Sequence, residues 1–376
     1  MISLDWIDAQ TACAMLGVKP QTLYAYVSRG QVRAEADAED ARRSLYARPD
    51  VDALLQQNRR PRARAEIAEQ AIRWGEPVLS TAISEVRDGM LWLRGLSIEH
   101  CAEHFTLEDM AAHLWAVSAV DAPESEVASS LPSPLGRALE VLSREVPTAP
   151  ELKPDAAGKQ GGRLMSLVAN ALLGKSASGP IHLRLGQSWG LDASGCDDVR
   201  RALVLLSDHE LNPSTFAVRI AASTGASLPA ALLSGLATLS GPRHGGVATL
   251  ARVALQATVS GKMQAFLMDH ADQSPYGYGF GHPLYPEGDP RARLILARLG
   301  ATASPVAAVR ALSSELGIPP NIDAALAALS LVHKLPDDAA FTIFATGRLI
   351  GWIAHAIEQQ QTGEIIRPRA RYRASV

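Results

Sequence analysis

The chain has 376 residues, 47% of them hydrophobic, and a formal net charge of -3 at pH 7. That supports one large core plus a smaller module, two or three folding units in all. It excludes a surface coated throughout with basic residues for nucleic acid, so any DNA contact has to be local. The three cysteines, Cys13, Cys101 and Cys196, are far apart and odd in number, which argues against a disulfide framework or zinc cluster and for a reducing cytoplasm. No signal peptide is evident at the N-terminus. The longest weakly charged stretch, Ile220 to Ser240, contains Pro229 and many Ser, Thr and Gly residues. It reads as a buried helix pair, since a membrane span needs about 20 strongly apolar residues.

In the first segment, Ala12, Met15 and Leu16 give one face of a helix, Gly17 stops it, and a second helix starts near Pro20 with Leu23 and Val27 facing inward. Gly30 to Arg33 and Ser44 to Arg48 pair as a hairpin wing, and Pro49 to Asp52 open a third helix. Residues 1–58 therefore read as a small winged helix-turn-helix domain that resembles the modules of the MerR and excisionase regulators. Lys19, Gln21, Thr22, Tyr24, Arg29 and Arg33 are its candidate DNA contacts, because a recognition helix offers polar and cationic side chains to base edges and phosphates. The plainer reading packs Tyr24 against the wing and leaves the cations solvated. Glu35, Asp37, Glu39 and Asp40 nearly cancel the local positive charge.

Residues 59–70, opening with the basic, proline-interrupted run Arg59-Arg60-Pro61-Arg62-Ala63-Arg64, read as a linker. Helical patterns dominate residues 71–376, with Asp197 to Ala222, Leu228 to Leu239 and Gly246 to Val259 reading as packed helices. The expected class is mainly α.

Three motifs carry chemistry: Gly241-Pro242-Arg243-His244-Gly245-Gly246, Gly279-Phe280-Gly281-His282 followed by Asp289-Pro290-Arg291, and Pro320-Asn321-Ile322-Asp323. Together they supply two glycine-flanked imidazoles and one carboxylate, which is what proton removal from a weak carbon acid needs: a base against the carbon and a donor for the developing enolate. Taken singly each motif has a bland reading: a structural histidine at a helix start, or Asp323 capping a helix beginning at Ala324.

In this order the motifs resemble the citrate synthase family, from near Val78 to Tyr372. The resemblance implies large and small helical domains, the small one inserted at about residues 246–335, with the active site between them. It implies Asp323 as the base, His244 as donor to the thioester oxygen, and His282 as donor to the alkoxide. His209, Arg291, Arg348 and Arg367 match the family's oxaloacetate-binding residues, Arg367 acting across a homodimer interface. Gly279 and Gly281 let backbone approach the coenzyme A thioester, which is a co-substrate; no permanently bound cofactor and no metal is implied. Ile83 to Leu96 resembles the family's opening hairpin, and Trp352 and His355 read as packing residues. The family's Arg after the second histidine and the following Lys are missing: Pro283 and Pro286 occupy that stretch. Coenzyme A phosphates therefore lose nearby cations.

The resulting expectation is condensation of acetyl-coenzyme A with oxaloacetate to citrate and coenzyme A. The alternatives are 2-methylcitrate synthesis from propionyl-coenzyme A, or a DNA-binding transcriptional regulator sensing a carboxylate or acyl-coenzyme A.

Overall fold

In the computed structural model, residues 6–28, 31–37, 40, 43–52, 54, 79–147, 157–369 and 372 are described. The linker expected at 59–70 and the candidate Arg29 lie outside them. The chain divides into two units, Met1–Ser80 and Thr81–Val376.

In the first unit the helices Ala9–Leu16 and Pro20–Ser28 are joined by a tight turn at Gly17, whose φ of 64° is the left-handed conformation that ends a helix cheaply only at glycine. Asp8 caps the first helix by accepting from Thr11 N–H at 2.7 Å. Strands β1 (Trp6–Asp8), β2 (Ala34–Ala36) and β3 (Ser44–Ala47) form an antiparallel sheet in the order β1-β3-β2. The first strand of the expected wing thus begins at Ala34; Arg33 O still accepts from Ala47 N–H at 3.0 Å, while Asp50 takes the Arg33 N–H and guanidinium. β1 was not foreseen, since three residues carry too short an alternation to read. Ala12, Leu23, Val32, Tyr46, Val51 and Leu54 make the core of this unit.

The second unit opens with a meander, β4 (Ser84–Arg87), β5 (Met90–Leu93) and β6 (Leu96–Ser97). Asp88 and Gly89, at φ 53° and 71°, form the two-residue turn whose twist matches the flanking strands, and Arg94-Gly95 repeats it. The expected hairpin is therefore three-stranded.

Helices follow almost exclusively. The longest, Ala339–Thr362, packs against Leu107–Trp115, Ala157–Leu173, Ala193–Leu205, Pro213–Ser223 and Leu228–Leu239. It is long and apolar enough to cross a membrane, but 89% of its apolar window is buried inside the fold, so it is a core helix. A second apolar cluster joins Leu255, Phe266, Tyr278, Phe280, Leu312 and Ala328.

The run expected as helix from Asp197 to Ala222 is broken after Leu205 and resumes at Pro213, and the break carries His209. Asp208 is fully buried there, tied to Ser84 Oγ at 2.5 Å. Gly351 makes room for this segment, because a Cβ would stand 2.2 Å from Ser207 O and 2.7 Å from Asp208 Oδ1. Helix propensity favours Gly→Ala by about 1 kcal/mol, whereas overpacking against backbone costs about 1–3 kcal/mol or more. Gly351→Ala is therefore expected to lower stability by about 2 kcal/mol in chemical unfolding. Gly277→Ala, where a Cβ meets nothing within 4 Å, is expected to stay within about 0.5 kcal/mol of the parent; equal effects would refute the steric account.

Candidate active site

The short helical turn Pro275–Tyr278 ends at Gly279, with φ 98°, and Gly281 follows at φ 82°. A Cβ at Gly279 would meet Ala324 N at 2.8 Å, so two backbones approach here more closely than a side chain permits. Gly281 N–H donates to Pro319 O at 2.7 Å and Asn321 N–H donates to Gly279 O at 2.9 Å. This pairing joins the backbone just before His282 to the backbone just before Asp323. Asn321 caps the helix Ile322–Val332, its Oδ1 accepting from Asp323 N–H at 2.9 Å. The cap alternative for Asp323 is thereby corrected: a better capping side chain stands two residues earlier, and the helix begins before Ala324.

Three imidazoles share with Asp323 the fields of Arg291 and Arg348. His209 and His282 meet edge to face with centroids 5.0 Å apart. Leu284 N–H donates to His282 Nδ1 at 3.2 Å, so that nitrogen is bare and the neutral ring carries its proton on Nε2. His244 is held at Nε2 by Ser214 Oγ, 2.8 Å away, leaving Nδ1 as the nitrogen for a ligand. Burial first, and then the charges of Arg348 and Arg291 respectively, push His244 and His282 down to about 4. Both are neutral at physiological pH, and His282 is a donor at Nε2; the Ser214 hydroxyl donates to Asn212 Oδ1 at 2.7 Å, so here its oxygen accepts from His244 Nε2–H. Burial and the same arginines hold His209 well below the usual histidine range.

Arg291 and Arg348 are both almost fully buried. Asp289 holds Arg291 through Nε and Nη2 at 3.0 and 2.8 Å, overcoming the burial penalty and keeping its pKa above the ordinary value. Arg348 donates from Nε to Leu206 O at 2.8 Å and lies over the Phe344 ring. Burial brings it down to about 10, so it remains a cation at neutral pH. Its charge is felt by His244, His209 and Asp323, so these groups converge on one place.

The structure thus brings together His209, His244, His282, Arg291, Arg348 and Asp323, with Gly279 and Gly281 as the backbone that aligns them. Arg367 is not among them: it is exposed after the last helix and pairs with no described carboxylate. In the first unit Lys19, Gln21 and Thr22 are exposed, Tyr24 is 57% exposed, and Arg33 is engaged by Asp50. Four residues went unread as site components: Asp289, Ser214, Tyr276 and Tyr285. Asp289 lay in the Asp-Pro-Arg motif and Tyr285 three residues past His282, but nothing in their spacing shows which group each one holds. Tyr276 stands against His282, centroids 6.0 Å apart, and burial followed by the nearby Asp323 raises it to about 12. Next to Tyr285 and Asp289 opens a cleft of about 1070 Å³, walled also by Met90, Pro286, Arg293 and Arg310.

Asp323 accepts no hydrogen bond from a described residue and is 8% exposed. Burial raises its carboxyl to about 7 from the ordinary 3.8, against the pull of Arg291. Between those two values the folded chain holds one proton more than the unfolded chain, so this group's contribution to stability falls as pH rises through that window and is flat above it. Asp323→Asn is expected to raise stability at pH 8, by an amount on the order of 4 kcal/mol, and to change it little near pH 4. Thermal unfolding at both pH values checks this; a gain that does not depend on pH contradicts it.

Residues 190–369 match the family described as citrate synthase, C-terminal domain. The citrate synthase of Haloferax volcanii is 37% identical over 183 residues, 46% of this chain and 48% of that protein. The 2-methylcitrate synthase 2 of Corynebacterium glutamicum is 27% identical over 232 residues, 59% of this chain and 57% of that protein. The chain spans about half the length of the curated relatives it matches. Among solved structures, the citrate synthase of Thermotoga maritima superposes with a TM-score of 0.65 at 22% identity, covering 80% of this chain and 94% of that one. The citrate synthase of Thermoplasma acidophilum, solved with carboxymethyl coenzyme A and oxaloacetate, superposes at 0.62 with the same identity and coverage. The chain therefore has the citrate synthase fold, and its residues 190–369 match the citrate synthase C-terminal domain.

Proposed function

We propose that this chain condenses an acyl-coenzyme A thioester, acetyl-coenzyme A first, with oxaloacetate and hydrolyses the product thioester to citrate and coenzyme A. The observation that carries this reading is Asp323: a buried carboxyl raised to about 7, within the fields of two buried arginines that also act on the neutral imidazoles of His244 and His282. Its ionised form takes a proton from the thioester methyl group while His244, with the Ser214 hydroxyl turned to donate to its Nε2, donates from Nδ1–H to the thioester oxygen. The resulting enol carbon attacks the keto carbon of oxaloacetate, a carbon–carbon bond forms, and the keto oxygen takes the electron pair. His282 Nε2–H protonates that alkoxide. Water then cleaves the thioester and releases the thiol.

Arg291 and Arg348 neutralise the keto acid's carboxylates, and in this reading Arg367 does so from a second copy of the chain in a homodimer. The cleft of about 1070 Å³ beside Tyr285 receives the coenzyme; Arg310 and Arg293 are its cations, the latter already paired with Glu99 at 2.6 Å. The likeness to a 2-methylcitrate synthase favours propionyl-coenzyme A as the second candidate, since one methylene shifts selectivity by only about 1–3 kcal/mol.

The exposed face of the helix Pro20–Ser28, with Lys19 beside it and Gln21, Thr22 and Tyr24 on it, supports a separate role for the first unit in contacting DNA as a winged helix-turn-helix. Its removal leaves the chemistry intact in this reading.

Thiol release from acetyl- or propionyl-coenzyme A in the presence of oxaloacetate tests the reaction. Turnover is expected to rise with pH through about 7 as Asp323 ionises, and Asp323→Asn to lower it about 10²- to 10⁴-fold. No thiol release from either thioester would sink the proposal. Deleting residues 1–64 is expected to leave turnover unchanged while abolishing any retention of a labelled duplex; lost turnover on this deletion contradicts the separation of roles.

A further inference from the structure

Tyr285 lies 1% exposed between three of the groups that face the keto acid. Its hydroxyl is 2.9 Å from His209 Nε2, its ring is 5.1 Å from the His282 ring, and the Arg291 guanidinium stands over it at 5.7 Å. A sealed phenol must place its proton on an acceptor, and among the described residues His209 Nε2 is the acceptor within reach of this hydroxyl. Were the imidazole to donate instead, the phenol proton would be buried without a partner, at a cost comparable to a lost hydrogen bond. Tyr285 itself stays un-ionised, because burial raises it above the usual tyrosine range. His209 is neutral over the working pH range, so it carries one proton. If Nε2 accepts, that proton is on Nδ1. Nδ1 has no partner among the described residues, and it is not one of the sealed, partnerless polar atoms of the core. It therefore opens onto space that a ligand or water fills.

We propose that the Tyr285 hydroxyl fixes His209 in the tautomer protonated at Nδ1, making His209 an obligate donor toward the keto acid and Tyr285 a positioning residue for keto-acid binding. The opposite tautomer presents a lone pair to an anion between Arg291 and Arg348, which repels it. His209 and His282 then carry their protons on different ring nitrogens. His282 is fixed by the Leu284 N–H and His209 by the phenol, so both are donors without either being charged. This inference rests on the keto-acid reading of the site, but the tautomer itself does not.

Long-range ¹⁵N correlation spectra of the full chain labelled at histidine, with His209 identified by its loss in His209→Gln, read the tautomer directly. The native chain is expected to show Nε2 bare and Nδ1 protonated, and Tyr285→Phe, which removes one oxygen and keeps the ring, to shift His209 to a mixture. A protonated Nε2 in the native chain overturns the proposal, and so does an unchanged tautomer in Tyr285→Phe. Tyr285→Phe is also expected to weaken oxaloacetate about tenfold to a hundredfold in calorimetry, with kcat altered far less than KM. If the native chain binds no oxaloacetate while His209 shows the expected tautomer, the substrate reading fails and the tautomer assignment stands. If oxaloacetate binds equally well to both proteins, the positioning role fails.

Discussion

The site depends on one buried carboxylate, Asp289. It accepts from Arg291 N–H, Arg291 Nε and Nη2, and Ile322 N–H, all between 2.8 and 3.1 Å. With a single side chain it caps the helix Pro290–Leu299, fixes the guanidinium that faces the site, and ties down the start of the helix Ile322–Val332, where Asp323 sits. A buried ion pair contributes little net stability by itself, but removing one partner typically costs about 3–5 kcal/mol because the other charge is stranded. The pair's role is positional: Arg291 and Asp323 cannot move independently of each other. With Arg291 already neutralised by Asp289, the cation's pull on Asp323 is weakened, and burial wins.

The second constraint is close backbone approach, and it is made of absences. Gly279 has no Cβ where Ala324 N passes, Gly245 has none where Leu239 O passes, and Gly351 has none where Ser207 O passes. Each meeting lies next to a candidate site histidine: His282, His244 and His209 respectively. A network of buried polar groups lies behind them. Ser84 holds Asp208, His355 adjoins Asp208, and Arg219 reaches His355, Gln359 and Glu358. Trp352 and His355 are indeed buried, yet both are polar partners as well, for Trp352 donates to the Ser214 hydroxyl that holds His244. Packing and site geometry are thus one system in this part of the fold.

Much of the helical layout was legible because its periodicity is strong: the helices Leu228–Leu239 and Val247–Val259 fall where apolar spacing put them. The stop at Gly17 was legible because a left-handed helix end favours glycine. The break carrying His209 was not, since its flanks continue a helical pattern and the interruption is imposed by docking on β4 through Ser84 and Glu210. The competition between Asn321 and Asp323 for one helix cap was also undecidable from sequence, because both side chains can cap and only the backbone placement chooses.

The sequence by itself determined the identities and order of the candidate site groups: two glycine-flanked histidines, an Asp-Pro-Arg, and an aspartate after Pro-Asn-Ile. Identity and spacing are covalent properties, and a resemblance can be recognised from them. The tertiary structure decided the protonation states. Burial neutralises His244, His282 and His209 and raises Asp323, because the cost of a charge depends on how much water and which counter-charges surround it, and those are supplied by segments distant in the chain.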